Sequence, residues 1–269
     1  MRAMDNEYVL GTHDAEIARL ELQHRVWRPV ALEAWRRAGI SDGHTVIDIG
    51  CGPGFAAADL AEIVGRSGRV IALDKSNRFL QSVARYNKPQ IETIACDLDV
   101  DGLPATRVDA AWARWVFSFV RHPRDLLARV ARSLKPGGVF VAHEYFDYRT
   151  WRTSPRNAEI EEFVAAIMAS WRAEGGEPDI ALDLVPWLPE LGFEVIGVRP
   201  ILNVLVATDP AWEWLSRFGD TGLARLVDLG RVTHDRAEKI AAAWAKVSIE
   251  PGVRMVTPAV LEVIARYRP

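Results

Sequence analysis

One stretch decides the fold of this chain: Val46-Ile47-Asp48-Ile49-Gly50-Cys51-Gly52-Pro53-Gly54. It predicts a short buried strand that ends in glycines and runs directly into a helix. Glycines at such a turn let the backbone bend sharply and approach a ligand closely, because no side chain stands in the way. The spacing is G-x-G-x-G, which differs from the G-x-G-x-x-G pattern of dinucleotide-binding turns. The stretch therefore predicts a ligand site at a strand end, with a purely structural turn as the alternative.

The region around this turn alternates short apolar runs with helical segments. Further strands are predicted at 70–73, 91–95, 110–113 and 139–143, and helices at 56–64, 76–86 and 124–134. Near-continuous apolar strands separated by helices are typical of a parallel sheet covered on both faces. The sequence therefore predicts an α/β fold with a doubly wound, Rossmann-like sheet.

The remaining segments are predicted to cover this sheet. Residues 1–42 predict two helices, the second beginning at Pro29, and we interpret them as an N-terminal helical lid. The main domain, 43–269, gains strands at 193–198 and 259–266. Its two mainly helical stretches, 145–190 and 207–252, are interpreted as insertions that cap one face of the sheet.

Acidic side chains follow the second and third predicted strands. Asp74 comes roughly 20 residues after the glycines, where an acid can accept hydrogen bonds from both hydroxyls of a ribose. Its alternative role is to cap the helix that starts near Ser76. Asp97 can accept from the amine of an adenine on which Leu98 packs, or it is merely a turn residue. The fourth strand ends at Arg114 and Trp115, where the strand order of the sheet is expected to reverse.

Five motifs in register make the chain resemble the class I S-adenosylmethionine-dependent methyltransferases. They are VIDIGCGPG, the acid of IALD, ACDL, DAAWARWVFSFV and LKPGGVFVAHE, and they span roughly residues 45–144. The resemblance implies a seven-stranded sheet whose last strand is antiparallel. It also implies S-adenosylmethionine as the cofactor and S-adenosylhomocysteine as its product.

The resemblance also implies which residues hold the cofactor. Asp48, Gly50 and Gly52 would flank the methionine half, Asp74 would hold the ribose, and Asp97 with Leu98 would hold the adenine. The other residues expected at the cofactor from the same motifs are Cys51, Gly54, Lys75, Cys96, Arg114 and Trp115. No metal is expected, because the two cysteines of the chain, Cys51 and Cys96, lack ligand spacing.

The N-terminal segment is similar to methyltransferases of small molecules in which a first helix folds over the cofactor. By this similarity Tyr8, Arg19 and Gln23 would be lid residues near the methionine carboxylate. The alternative is that these side chains simply face solvent.

Because the sulfonium is already activated, methyl transfer requires mainly that the protein align a nucleophile and exclude water. A dedicated base is therefore dispensable. If one is used, the candidates are His143 and Glu144 at the end of the fifth strand, with His13 and His122 behind them.

Aromatic residues after the fifth strand and in the cap are predicted to bind a planar acceptor, although each can equally fill the core of the cap. They are Tyr145, Phe146, Tyr148, Trp151 and Trp187.

Composition excludes several classes of protein. Charged residues make up 26% of the chain and its formal net charge is -3, so it lacks the basic surface typical of nucleic-acid binders. No signal peptide and no long apolar run is present, which predicts a cytoplasmic protein that does not enter membranes. With few cysteines, the plain interpretation is free thiols in a reducing compartment. A homodimer is one state that the sequence allows.

The sequence thus predicts a methyltransferase for a small aromatic or heterocyclic molecule, alkylating oxygen or nitrogen, as in natural-product biosynthesis. Two alternatives stay open: a cofactor-binding protein that catalyses a non-methylating reaction, and a methyltransferase for a macromolecule. A short-chain dehydrogenase is disfavoured because no tyrosine here begins a Tyr-x-x-x-Lys motif.

Overall fold

The computed structural model describes residues 14–104 and 107–269. Its strands are β1 (Thr45–Ile49), β2 (Arg69–Asp74), β3 (Ile91–Ala95), β4 (Val108–Arg114), β5 (Leu134–Asp147), β6 (Arg152–Ser154), β7 (Phe193–Ile201), β8 (Val204–Leu205), β9 (Arg254–Val256) and β10 (Ala259–Tyr267). Its helices are α1 (Asp14–Ala38), α2 (Phe55–Val64), α3 (Asn77–Ala84), α4 (Pro123–Ser133), α5 (Ala158–Ala173), α6 (Ala181–Glu190), α7 (Pro210–Asp228) and α8 (His234–Ile249).

A seven-stranded sheet forms the centre of the molecule, in the order β3-β2-β1-β4-β5-β10-β7. Strands β1 to β5 pair in parallel, and β10 is antiparallel to both β5 and β7. The predicted doubly wound sheet with an antiparallel last strand is confirmed. Because the order reverses between β1 and β4, a crevice opens at the carboxyl ends of these two strands.

Both faces of the sheet are buried, since side chains alternate between them along each strand. In β1, Ile47 and Ile49 join a core covered by α4 and α6, whereas Val46 joins the opposite core beneath α2, α3 and the second half of α1. A third core lies in the cap, where α5, α7 and α8 bring together Phe163, Leu215 and Trp244. The short sheet β6-β9-β8 connects this cap to the carboxyl edge.

Two sequence-based assignments were wrong, and a third stretch, predicted as mainly helical, divides into two helices. The two helices predicted before Gly39 are one helix, α1, with Pro29 inside it, because Trp27, Ala31 and Trp35 continue one buried stripe through the proline. The stretch 207–252 contains two helices, which separate near Gly230, a residue with φ +65°. Helix α6, in the stretch assigned to the cap, packs on the sheet instead.

Candidate functional site

One cavity opens at the carboxyl edge of the sheet, between the ends of β1 and β4. Its walls come from the β1–α2 turn, the end of β2, the loop after β3 and the segment after β4. Leu20 and Gln23 of α1 also line the cavity. The cavity therefore lies where ligands bind in open α/β sheets.

The glycine turn combines two packing positions with one position that faces the cavity. Gly50, Gly52 and Gly54 all have left-handed backbone angles, with φ of +64°, +54° and +86°. A Cβ on Gly50 would lie 2.7 Å from Val116 Cγ2, and one on Gly54 would lie 2.6 Å from Val83 Cγ2. A Cβ on Gly52 would meet no atom within 4 Å, so its open side is the cavity. Gly54 does not line the cavity and serves the packing of α2 against α3, which corrects its expected cofactor contact.

Asp74 braces the turn from the neighbouring strand. Its Oδ2 accepts a hydrogen bond from the backbone N–H of Gly52 at 2.9 Å, and its Oδ1 accepts from the N–H of Ser76 at 2.8 Å. Ser76, not Asp74, is the N-cap of α3. Burial raises the pKa of Asp74, against these hydrogen bonds. A carboxylate offers about four lone-pair sites, so Asp74 keeps acceptor capacity toward the cavity.

The loop after β3 supplies the lower wall through residues 96–99, together with Lys75 at the end of β2. Asp97 Oδ1 accepts from the N–H of Asp99 at 3.0 Å, and Asp99 Oδ1 accepts from the N–H of Arg121 at 2.7 Å. The loop is thus held by its own acids while Leu98 contributes an apolar surface. Asp99 was missed because only its position two residues past Asp97 could have indicated it.

A carboxyl group and a guanidinium group lie buried at the end of the crevice without a direct hydrogen bond between them. Asp48 Oδ2 and Arg114 Nη1 both lack hydrogen-bond partners among residues 14–104 and 107–269. Burial, helped by Asp74 and opposed by Arg114, raises the pKa of Asp48 to about 7. Burial also lowers the pKa of Arg114 to about 10. The guanidinium carbon lies 6.0 Å from the ring of Trp112 and 5.5 Å from that of Trp115.

Helix α1 forms a roof that is tied to the cap. Gln23 Oε1 accepts from Trp214 Nε1 of α7 at 3.0 Å and from Arg19 Nη1 at 3.1 Å. Arg19 itself is buried in a two-bond ion pair with Glu16, at 2.6 and 2.8 Å, and does not line the cavity. Arg19 was expected near the methionine carboxylate. The structure instead places it beside Glu16, where it supports Gln23. Tyr8 and His13 lie outside the described residues.

Residues 47–142 match the methyltransferase domain family. Over 105 residues the chain is 39% identical to a trans-aconitate 2-methyltransferase of Azoarcus sp. strain BH72, covering 39% of this chain and 40% of that enzyme. It is 26% identical over 159 residues to a ubiquinone/menaquinone biosynthesis C-methyltransferase of Cupriavidus taiwanensis, covering 58% of this chain and 63% of that one. The chain thus spans less than two thirds of the length of these relatives.

Solved structures share the fold. A Bacillus halodurans protein assigned to the methyltransferases superposes with a TM-score of 0.61 at 16% identity, over 88% of this chain and 98% of its own. Phosphoethanolamine N-methyltransferase 2 of Haemonchus contortus gives 0.53 at 18% identity, over 88% of this chain and 52% of its own. Residues 47–142 thus carry a methyltransferase domain, and the chain has the fold of the class I S-adenosylmethionine-dependent methyltransferases. The cofactor of this domain is S-adenosylmethionine, and S-adenosylhomocysteine is its demethylated form.

The residues of the methyltransferase domain fit this cofactor. The unpartnered Asp48 Oδ2 suits a cationic amino group, and the open space before Gly52 admits a ligand close to the backbone. The predicted residues that line the cavity are Gln23, Asp48, Gly50, Cys51, Gly52, Asp74, Lys75, Cys96, Asp97, Leu98, Arg114 and Trp115. Lining residues that the sequence analysis missed include Leu20, Phe55, Phe79, Asp99, Trp112, Val116 and Phe119. Phe55, directly after the glycine turn, was the easiest of these to find.

The two candidate bases lie inside the methyltransferase domain, away from the cavity. His143 is completely buried, and its Nε2 lies 3.2 Å from Glu262 Oε2 of β10. Glu144 is equally buried and accepts from the N–H groups of Val116 at 2.6 Å and Phe117 at 2.9 Å. Neither lines the cavity. The expected catalytic role is therefore corrected: in this conformation both side chains fasten neighbouring elements.

The aromatic residues predicted to bind an acceptor mostly fill cores. Tyr145, Tyr148 and Trp151 are buried in the core of the cap, and Trp187 packs against the core beneath α4 and α6. Phe146 lines a separate shallow pocket with Arg149 and Arg152. None of them lines the cofactor cavity. The aromatic residues that do so are Phe55, Phe79, Trp112, Trp115 and Phe119.

Proposed function

We propose that this chain transfers the methyl group of S-adenosylmethionine to a small organic acceptor that binds beneath the α1 roof. The observation that carries the proposal is that α1 lines the cavity through Leu20 and Gln23 and is bonded to the cap, since Gln23 accepts from Trp214. A helix across the cavity favours a small acceptor over a nucleic acid or a protein, and the formal net charge of -3 also disfavours a nucleic acid. A small acceptor needs only a gap beneath the helix.

The chain's own residues would bind, orient and dehydrate the reactants. Asp48 would hold the amino group of the methionine half, Asp74 the ribose, and residues 97–98 the adenine, while Gly52 permits close approach. The cofactor supplies an already activated methyl group, so alignment and exclusion of water supply most of the remaining catalysis. Both faces of the Trp115 ring are stacked on Tyr145 and Trp214, so Trp115 forms a wall of the cavity. Phe119 lines the same cavity, is only partly buried, and would pack on a planar acceptor.

The names of relatives agree with a small acceptor. Trans-aconitate, ubiquinone or menaquinone precursors and sterols are small organic molecules, and they appear in the names of enzymes that match this chain. Two of these names specify carbon as the atom that receives the methyl group, so carbon joins oxygen and nitrogen as an acceptor atom within the proposal.

The experiment is to incubate the purified protein with cofactor carrying a deuterated methyl group and with small-molecule extracts, then to search for labelled products by mass spectrometry. We expect label in small molecules only with the native protein. Gly52→Val is the matched control, because its side chain would occupy the cavity and leave the packing positions Gly50 and Gly54 untouched. Label found only on protein or RNA, or products isomeric with their precursors, would overturn the proposal.

A further inference from the structure

Arg114 is a buried cation that makes no direct ion pair, although the Asp48 carboxyl group in the same cavity acts on it electrostatically. Arg114 ends β4 at the crevice, and no ion pair involves it among residues 14–104 and 107–269. Its Nη1 is also without a hydrogen-bond partner there. An uncompensated buried charge is costly, and the rings of Trp112 and Trp115 replace only part of the lost hydration.

A hydrogen-bond relay fixes the other half of the guanidinium. Arg114 Nη2 lies 3.3 Å from His24 Nδ1, and His24 Nε2 lies 3.0 Å from Asp59 Oδ2. Arginine can only donate hydrogen bonds, so Nδ1 must be the accepting nitrogen and Nε2 must carry the proton that Asp59 accepts. Arg28 donates to the same Asp59 oxygen at 2.8 Å. The relay therefore runs from the cavity through α1 and α2 to the surface.

We propose that Arg114, oriented by His24 and Asp59, is the anion-binding residue of the cavity and takes a carboxylate. The planar guanidinium presents parallel N–H groups whose spacing matches two carboxylate oxygens. Asp48, an unpartnered acid in the same cavity, repels an anion from its own side and so separates the cationic from the anionic half of the site.

Two carboxylates can satisfy Arg114. One is the methionine carboxylate of the cofactor, and the other is a carboxylate on the acceptor. Arg19, the other arginine expected near this charge, is already paired with Glu16. For the acceptor source alone, the inference rests on the proposed function.

The first experiment compares ligands with and without the carboxylate by calorimetry. Arg114→Met should weaken the binding of S-adenosylhomocysteine by roughly tenfold or more if the cofactor supplies the carboxylate. It should leave 5′-methylthioadenosine, which lacks the amino-acid part, within roughly twofold, and this second ligand also shows that the variant is folded. Arg217→Met, at an exposed pair with Glu213 on α7, is the matched control and should change neither affinity.

If Arg114→Met leaves the affinity for S-adenosylhomocysteine unchanged, titrations with carboxylate-bearing acceptors decide the source. Native protein saturated with S-adenosylhomocysteine is titrated with trans-aconitate and with benzoate, and each titration is repeated with the corresponding neutral amide. Binding that requires both the carboxylate and Arg114 supports the acceptor source. Unchanged S-adenosylhomocysteine affinity, together with no such carboxylate binding, overturns the inference. A native protein that fails to bind S-adenosylhomocysteine at all would instead contradict the cofactor assignment.

The relay has its own test, which separates positioning from mere packing. His24→Asn keeps an acceptor near the place of Nδ1, whereas His24→Leu removes it. We expect His24→Leu to weaken binding of the carboxylate ligand by roughly threefold or more, in the same direction as Arg114→Met. His24→Asn should restore most of this affinity. Nitrogen NMR of the native protein should show His24 with Nε2 protonated and Nδ1 bare. A protonated Nδ1, or equal behaviour of the two variants, would refute the positioning role.

Discussion

Asp48 has a carboxyl group whose ionisation should change when the cofactor binds. Burial raises its pKa to about 7 in the ligand-free protein. A cationic amino group beside it favours the charged form, so binding should lower this pKa and release a proton. Affinity for S-adenosylhomocysteine should therefore rise with pH up to about 7 and level off above it, with a limiting slope of roughly tenfold per pH unit.

Calorimetry at about pH 6 and about pH 8, in buffers of different ionisation enthalpy, measures both the affinity change and the proton release. Asp48→Asn removes the titrating group and should flatten the profile, which separates Asp48 from the neighbouring Asp74. An equally steep profile in that variant would assign the effect to another residue.

Asp74 joins the glycine turn to the predicted ribose contact. Asp74→Ala removes the acceptor for the N–H groups of Gly52 and Ser76 as well as for the ligand. We expect S-adenosylhomocysteine binding to weaken by about 1–3 kcal/mol, the scale of losing hydrogen bonds to a charged group. Asp74→Asn keeps one acceptor oxygen and should lose less. Equal affinities for the native protein and Asp74→Ala, measured by calorimetry, would exclude the ribose contact.

Different glycines of the turn between β1 and α2 serve stability and ligand binding. Gly54→Ala would force a Cβ against Val83 at a left-handed position, and we expect a loss of stability of more than ~2 kcal/mol. Gly52→Ala meets open space, so it should cost only about 1–2 kcal/mol of backbone strain. Its methyl group would stand in the cavity, however, and should reduce cofactor affinity much more than stability.

Thermal unfolding and calorimetry of the two variants test this division. The expected result is a larger fall in melting temperature for Gly54→Ala and a larger loss of affinity per unit of stability for Gly52→Ala. The reverse pattern would place Gly54 at the ligand and Gly52 in the packing.

The sequence predicted the strand ends well because parallel strands bring their carboxyl ends to one edge. All four predicted charged residues line one cavity. Asp48, Asp74 and Arg114 lie in the last residues of β1, β2 and β4, and Asp97 follows β3. The strand lengths were harder to predict. Strand β5 was expected to end at His143, but it continues to Asp147 because β10 pairs with it along that length. Residues predicted at the mouth of the sheet therefore lie within it.

Contacts between distant segments could not be read from local patterns. The partner of His143 is Glu262, 119 residues later in the chain. The pairing of Arg19 with Glu16 was readable in principle from their spacing on one helix face, yet whether that face turns toward the cavity depends on how α1 packs on α7. For the same reason the cap tryptophans could not be divided between the core and the cavity.

Helix α1, the roof of the cavity, connects the cofactor site to the cap. Helix α1 contributes to the cap core through Leu22 and Trp27 and to the sheet core through Trp35. Trp115, at the cavity wall, stacks on Trp214 of α7 with ring centroids 5.6 Å apart. A ligand that contacts Leu20 and Gln23 therefore touches a helix that packs against both the cap core and the sheet core. Among the described residues, no helix has the length and apolar character needed to cross a membrane.

This connection predicts that cofactor binding stabilises the roof. Hydrogen exchange in the first half of α1 and in α7 should slow by roughly tenfold when S-adenosylhomocysteine binds, because roof opening then requires ligand release.

Trp214→Phe keeps an aromatic ring but loses the N–H that bonds Gln23 Oε1. It should speed exchange in α1 and weaken S-adenosylhomocysteine by about 0.5–1.5 kcal/mol. Trp212→Phe is the matched control on the same helix, since Trp212 Nε1 donates to Ser248 Oγ of α8 at 3.2 Å and not to α1. If both variants change α1 exchange and affinity equally, the roof is held by general packing of α7 and not by the Gln23 contact.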